Sequence, residues 1–236
     1  MKIKALQKFT LIDFPHKLAC TVFLAGCNFF CPFCHNPELV CPEKIDENKE
    51  ISLEEFFDFL KQRKNFLEGV CITGGEPTLS KEIVDFVKKI KKLGYSVKID
   101  TNGSNPEIID YLLKNHLVDY IAMDVKAPKD RYPEITRSVL GENVSDLVEQ
   151  SMALLKNSDI DFEFRTTIVP ELLNKEDILE IAKWIKGSRR YYIQNFIGSK
   201  TVDPYFENVK SYPDSYLVEI RNSIAPFFEV CEIRNI

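Results

Sequence analysis

Cys27, Cys31 and Cys34 stand in one short stretch, Gly26-Cys27-Asn28-Phe29-Phe30-Cys31-Pro32-Phe33-Cys34-His35-Asn36-Pro37, with three residues between the first pair and two between the second. Thiols this close in sequence are metal or cluster ligands more often than packing residues, because the thiolate is both nucleophile and soft donor. A structural zinc or an ordinary iron–sulfur cluster takes four protein ligands. Three leave one coordination position open, as a catalytic zinc leaves one for water or substrate. Chemistry would take place at that open position.

Other polar clusters follow at intervals: Gly74-Gly75-Glu76-Pro77-Thr78, Asp100-Thr101-Asn102-Gly103, Met123-Asp124-Val125-Lys126, Arg165-Thr166-Thr167 and Gln194-Asn195. Gly74-Gly75 is either a tight turn or a place where absent Cβ atoms let a ligand approach the backbone. Glu76 could equally complement a helix dipole. Asp100 and Asp124 are like charges expected at the ends of adjacent strands, so something must offset their repulsion. A bound cation or cationic ligand would do so, and so would Lys126 or Arg165.

The elements that carry these clusters read clearly. Residues 19–24 are short, apolar and β-branched, as a buried strand is. Further strands are expected over 69–73, 96–100, 120–124, 162–168 and 191–194. Helices are expected from Ser52, from Ser80 to Leu93, from Asn105-Pro106 to His116, near 143–157, from Asn174 to Lys186 and near 213–224. Six strand–helix units in alternation imply a parallel sheet with helices outside, joined by right-handed crossovers. Residues 3–12 suggest an edge strand or hairpin, and 228–233 a last strand. No Gly-x-Gly-x-x-Gly follows a strand, so the dinucleotide fold lacks support. The expected class is α/β, a partial (β/α)6 TIM-like barrel in one domain over 1–236, with its core over about 18–200 and a C-terminal helix and strand over about 213–234. In such folds the loops after the strands' carboxyl ends carry the chemistry. All six clusters, the cysteine loop included, fall on that rim.

Composition narrows the function classes. The chain has 236 residues, 44% hydrophobic, with a formal net charge of −5, which argues against a general nucleic-acid binder. Lys88, Lys89, Lys91 and Lys92 read as the solvated face of a helix whose apolar stripe is Ile83, Phe86, Val87 and Ile90. Seven cysteines are an odd number in a mid-sized chain, which points to reduced thiols and a cytoplasmic location. No segment reaches the roughly 20 apolar residues of a membrane span, and a lipoprotein signal ending at Cys27 would leave Cys31 and Cys34 unexplained.

The cysteine triad after the first buried strand, with Gly74-Gly75-Glu76-Pro77 after the second, resembles the radical S-adenosylmethionine (radical SAM) superfamily. Thr10 to Pro15, Gly26-Cys27-Asn28 and Cys34-His35-Asn36-Pro37 resemble the activating enzymes of glycyl-radical proteins. The likeness is strongest to activators of anaerobic ribonucleoside-triphosphate reductase and extends to pyruvate formate-lyase activating enzyme. It spans nearly the whole chain and is strong to about Lys126. The resemblance implies that Cys27, Cys31 and Cys34 hold a 4Fe–4S cluster whose open iron is chelated by S-adenosylmethionine. Gly74, Gly75 and Glu76 would receive its amino group. Phe33, Cys34 and His35 would pass near the adenine, and Asp124, Val125 and Lys126 near the ribose and carboxylate. Arg165 and Asn195 complete the expected cofactor set, Asn195 or Gln194 standing where the formate-lyase relative has a histidine. Asp100, Thr101, Met123 and Asp124 would hold a monovalent cation. Electrons would come from flavodoxin or ferredoxin, and the 5′-deoxyadenosyl radical would take a glycine Cα hydrogen from a partner protein. A monomer is expected. Asp13-Phe14-Pro15-His16 departs from the relatives' Asp-Tyr-Pro-Gly, so that turn is expected to differ. Two rival functions are a radical enzyme acting on a small molecule, such as a deazapurine synthase, and a zinc module using the triad with His35 or Cys41. Loops 35–51, 125–142 and 196–212 could shape the mouth for either kind of substrate.

Overall fold

A computed structural model of the chain describes residues 1–46 and 50–234. Its parallel sheet begins with β2 (Ala19–Leu24), buried over almost its whole length because both faces are covered. Parallel to it in sequence order run β3 (Gly69–Gly74), β4 (Ser96–Thr101), β5 (Tyr120–Asp124), β6 (Asp161–Ile168), β7 (Arg190–Asn195) and β8 (Val230–Arg234). Strand β1 (Ile3–Thr10) lies antiparallel on the outer edge of β2, with two register shifts that bend it. The order among the described residues is β1-β2-β3-β4-β5-β6-β7-β8, an open, partial TIM-type barrel. Both terminal strands expected from sequence are present, and the second extends the parallel sheet.

Helices cover the outside. Helix α1 (Pro37–Val40) is one turn inside the loop after β2. Helix α2 (Leu53–Arg63) starts at Ser52, whose hydroxyl accepts the Glu55 N–H at 3.1 Å. The helix expected from Ser80 starts later, as α3 (Ile83–Lys92), because Pro77–Leu79 first makes a 3₁₀ turn capped by the Glu76 carboxylate. Helix α4 (Pro106–Lys114) is capped by Asn105, α5 (Tyr132–Thr136) is a short turn in the loop after β5, and α6 (Val144–Lys156) follows it. Helix α7 (Lys175–Trp184) begins with a capping box between Asn174 and Asp177, and α8 (Asp214–Ile224) precedes β8. Residues 47–49, in the expected loop 35–51, lie outside the described residues. None of the helices is long and apolar enough to cross a membrane, among the described residues.

The bottom of the barrel is stopped by the turn after β1. Phe14 is buried beside Tyr120, ring centroids 6.2 Å apart, and a Cβ on Gly69 would lie 2.8 Å from its ring. His16 has φ 61°, the left-handed backbone that glycine favours, so a residue with a Cβ holds this turn at some cost.

Charged side chains fill part of the interior. Glu163 on β6 is buried, accepts the Tyr120 hydroxyl at 2.7 Å, and accepts both Arg234 nitrogens at 2.7 and 2.9 Å. Arg234 also lies 3.6 Å over the Tyr192 ring, so one side chain ties β8 to β6 and β7. Arg234→Ala strands a buried carboxylate, and about 2–3 kcal/mol of stability should be lost, less than for a fully buried pair because Arg234 is one-third exposed. Urea unfolding measures this, and an unchanged midpoint would mean that the β8 strand is held by its backbone alone.

Candidate active site

The cysteine loop leaves β2 and is held by its backbone from every side. Gly26 N–H donates to Leu39 O (2.7 Å), and Glu76 N–H donates to Gly26 O (2.7 Å). Phe30 N–H donates to Thr136 O (2.9 Å) and Val139 N–H to Asn28 O (3.1 Å), bracing it with the loop after β5. Val202 N–H donates to Cys34 O (3.0 Å) and Asp203 N–H to Pro32 O (2.9 Å), bracing it with the loop after β7. The long loops 125–142 and 196–212 therefore position the thiols as well as framing the mouth. His35 stacks on Phe196 (5.4 Å between centroids, 10° between planes) and its Nε2 pairs with Ile197 O at 2.9 Å. A carbonyl can only accept, so Nε2 carries the proton.

The three thiols line one cavity of about 300 Å³ at the carboxyl ends of the strands. Phe33, His35, Gly74, Gly75, Asp100, Thr101, Asp124, Lys126, Arg165 and Asn195 line it too, residues from all six strand-end clusters. Met123 and Val125 are buried and do not line it. Burial pushes the Cys27 thiol up to about 12 and raises Cys31 and Cys34 as well, with Lys126 opposing the shift at each. Buried thiols so arranged become thiolates when a metal centre supplies positive charge. They do not converge on a point that one metal ion could occupy, among the described residues. A cluster gives each thiolate its own iron, and the donor set fits that group.

Glu76 does not line the cavity. Its carboxylate is 2% exposed and accepts from Thr78 N (3.0 Å), Thr78 Oγ1 (2.5 Å), Thr101 Oγ1 (2.8 Å) and Asn102 N (2.6 Å). It staples the loop after β3 to the loop after β4, with Oε1 taking three of these bonds and Oε2 one. Gly74 and Gly75 have a chain-internal reason as well. A Cβ on Gly74 would lie 2.2 Å from Leu24 O, and one on Gly75 would lie 2.0 Å from Gly26 O. The close approach is between β3 and the cysteine loop.

Sequence reasoning quoted Asn28 and Asn102 within their clusters but gave them no role, and gave none to Ser104 or Lys98. Asn102 lines the cavity and donates to Asn28 Oδ1 (3.0 Å), while Asn28 donates to Ser104 Oγ (2.8 Å); this network lies behind Cys27, whose Sγ is 3.9 Å from Asn102 Nδ2. Lys98 is buried and pairs with Asp100. The period of two on β4 puts residues 98 and 100 on one face, and that was the available signal.

Asp124 and Arg165 are register partners on β5 and β6. Burial raises the Asp124 carboxyl, but Arg165 and then Lys126 outweigh it and hold it at about 2. The folded value lies below the unfolded one of about 3.9, so Asp124 contributes stability above about pH 4 that is lost as pH falls toward 2. Urea unfolding of the cluster-free protein across that window should show the loss, and Asp124→Asn should flatten it. Equal acid sensitivity of the two proteins would contradict the assignment.

Residues 21–185 match the family description of the radical SAM superfamily. The chain belongs to that superfamily. It is a radical SAM enzyme, and its cofactors are a 4Fe–4S cluster and S-adenosylmethionine. The radical SAM chain is 34% identical to a protein of Methanocaldococcus jannaschii provisionally named a glycyl-radical enzyme activating enzyme, covering 99% of this chain and 96% of that one. It is 30% identical to the pyruvate formate-lyase-activating enzyme of Clostridium pasteurianum, over 80% of this chain and 77% of that one. It is 31% identical to the 7-carboxy-7-deazaguanine synthase of Thermoplasma acidophilum, over 61% and 63%. Solved structures agree on the fold. A radical SAM methyltransferase from Sphaerobacter thermophilus superposes with TM-score 0.67 at 13% identity, over 96% of this chain and 68% of that one. Streptococcus suis SuiB bound to S-adenosylmethionine gives 0.66 at 16% identity over 91% of this chain, which spans about half (52%) of SuiB.

Proposed function

We propose that this radical SAM enzyme generates a glycyl radical on a partner protein, with an anaerobic ribonucleotide reductase as the partner and flavodoxin or ferredoxin as electron donor, acting as a cytoplasmic monomer. The observation that carries the reading is where the cavity opens. Lys98, Asp100, Arg165, Glu163 and Arg234 fill the barrel interior with ion pairs, so a substrate must approach from the mouth beside the cysteine loop. Val139 and Ile197, on the two loops that brace the cysteines, and nearby Tyr205 present exposed apolar side chains. A protruding peptide loop fits such a mouth better than a small molecule, which needs an enclosing pocket.

Cys27, Cys31 and Cys34 hold the cluster in this account. When bound, the reduced cluster supplies the electron that cleaves S-adenosylmethionine to methionine and a 5′-deoxyadenosyl radical. The chain orients and shields. Lys126 and Arg165 present positive charge to the cofactor carboxylate. Gly74 and Gly75 would offer bare backbone to its amino group, and Phe33 and the fixed His35 ring would take the adenine. Asn195 donates to Tyr212 O at 2.9 Å, while its buried Oδ1 has no partner among the described residues. That oxygen supplies the acceptor for a cofactor N–H or O–H.

The reconstituted enzyme, incubated anaerobically with reductant, S-adenosylmethionine and a candidate glycyl-radical protein, should produce a glycyl EPR signal on the partner. Cofactor cleavage with no glycyl signal on any candidate would favour the small-molecule reading instead.

A further inference from the structure

The residues expected to hold a monovalent cation do not fit one. Asp100 and Asp124 have four carboxylate oxygens, and each already meets a cationic side chain. Lys98 Nζ donates to Asp100 Oδ1, and Arg165 Nη1 donates to Asp100 Oδ2 at 3.4 Å. Arg165 Nε donates to Asp124 Oδ1 at 2.9 Å, and Lys126 Nζ donates to Asp124 Oδ2 at 3.0 Å. The Thr101 hydroxyl donates to Glu76 and accepts the Gly103 N–H at 3.1 Å, and Met123 is fully buried. Three positive and two negative side chains leave the group at net +1, with the Arg165 fork spanning the two acids. An added cation would find no free carboxylate oxygen and would sit against a guanidinium in a poorly solvated place.

We infer that Arg165, supported by Lys98, is a built-in counter-ion that takes the place of an inorganic monovalent cation between Asp100 and Asp124. The surplus positive charge then faces the carboxylate of S-adenosylmethionine; this last step rests on the cofactor occupying the cavity as proposed above. Arg165 cannot lose its proton under ordinary conditions, and its planar fork matches two carboxylates at fixed spacing. Lys98 is buried with its ammonium paired to Asp100. Such a site carries its charge permanently and needs no ion from the medium.

Two measurements test this. The first is the affinity of the reconstituted enzyme for S-adenosylmethionine, by equilibrium dialysis in potassium, sodium or tetramethylammonium chloride at equal ionic strength. Affinity should agree within about twofold across the three salts, and a loss of about tenfold or more in tetramethylammonium would overturn the inference. The second needs no cofactor. The thermal midpoint of the wild type should be the same in the three salts, whereas Arg165→Met should be stabilised by potassium or sodium relative to tetramethylammonium, because Asp100 Oδ2 and Asp124 Oδ1 then lose their cationic partner and a small cation can take its place. A wild-type midpoint that rises specifically with potassium or sodium would overturn the inference. If Arg165→Met does not fold, the wild-type comparison decides. Absence of cofactor binding in every salt would instead sink the reading of the cavity, and the wild-type midpoints would still judge the counter-ion.

Discussion

Cys31→Ala is expected to abolish S-adenosylmethionine cleavage, lowering 5′-deoxyadenosine formation by about a thousandfold or more. Cys31 is buried and lines the cavity with the other two thiols of the triad, and two thiolates cannot hold a cluster that three already hold incompletely. The fold should survive, because the loop is held through backbone groups such as Phe30 N–H to Thr136 O and Val202 N–H to Cys34 O, not through the Cys31 side chain. Circular dichroism and iron content separate the two effects: native secondary structure with lost iron is the expected pair. Cys41→Ala is the control. Cys41 is buried beside the one-turn helix α1 and does not line the cavity, so cleavage should stay within about twofold of wild type. Retained cleavage in Cys31→Ala would overturn the cluster assignment.

Gly75→Ala should be nearly as damaging by a different route. Its new Cβ would lie 2.0 Å from Gly26 O and 2.6 Å from Gly26 C, both backbone atoms one residue before Cys27. Backbone cannot swing aside as a side-chain tip can, so the strand end and the cysteine loop must separate. The bond from Glu76 N–H to Gly26 O (2.7 Å) would then be lost or stretched. Overpacking of this kind, with a broken buried hydrogen bond, should cost more than about 3 kcal/mol and reduce iron incorporation. Urea unfolding and iron per chain measure both. Wild-type values for each would show that β3 and the cysteine loop do not need this approach.

The alternation of short apolar runs with capped amphipathic segments made the strands and most helices legible, since each rests on local periodicity and local caps. Ser52, Asn105 and Asn174 announced their helices because a cap acts within three residues. The start of α3 was harder. Its first turn is diverted by Glu76 capping Thr78, within a carboxylate network closed by Thr101 and Asn102 some 25 residues on. No window of sequence contains both ends of that network. The coincidence of polar clusters on one rim followed from topology alone, and the structure brings members of all six to one cavity. How their charges pair did not follow. Which side chains meet Asp100 and Asp124 turned on cross-strand register, which set Arg165 beside Asp124 and within reach of Asp100. The glycine pair illustrates the same boundary. Its need for bare backbone was readable, whereas the crowding partner, Leu24 and Gly26 of another strand and loop, was visible only in three dimensions.

The account turns on three thiols holding a cluster with one open position for S-adenosylmethionine, and a single anaerobic incubation tests that most directly. The protein is reconstituted with iron and sulfide, reduced, mixed with S-adenosylmethionine and assayed for 5′-deoxyadenosine. The account predicts a brown protein that forms 5′-deoxyadenosine and methionine in equal amounts, dependent on both reductant and reconstitution. A colourless zinc-bound protein that takes up no iron or sulfide and forms no 5′-deoxyadenosine would contradict it.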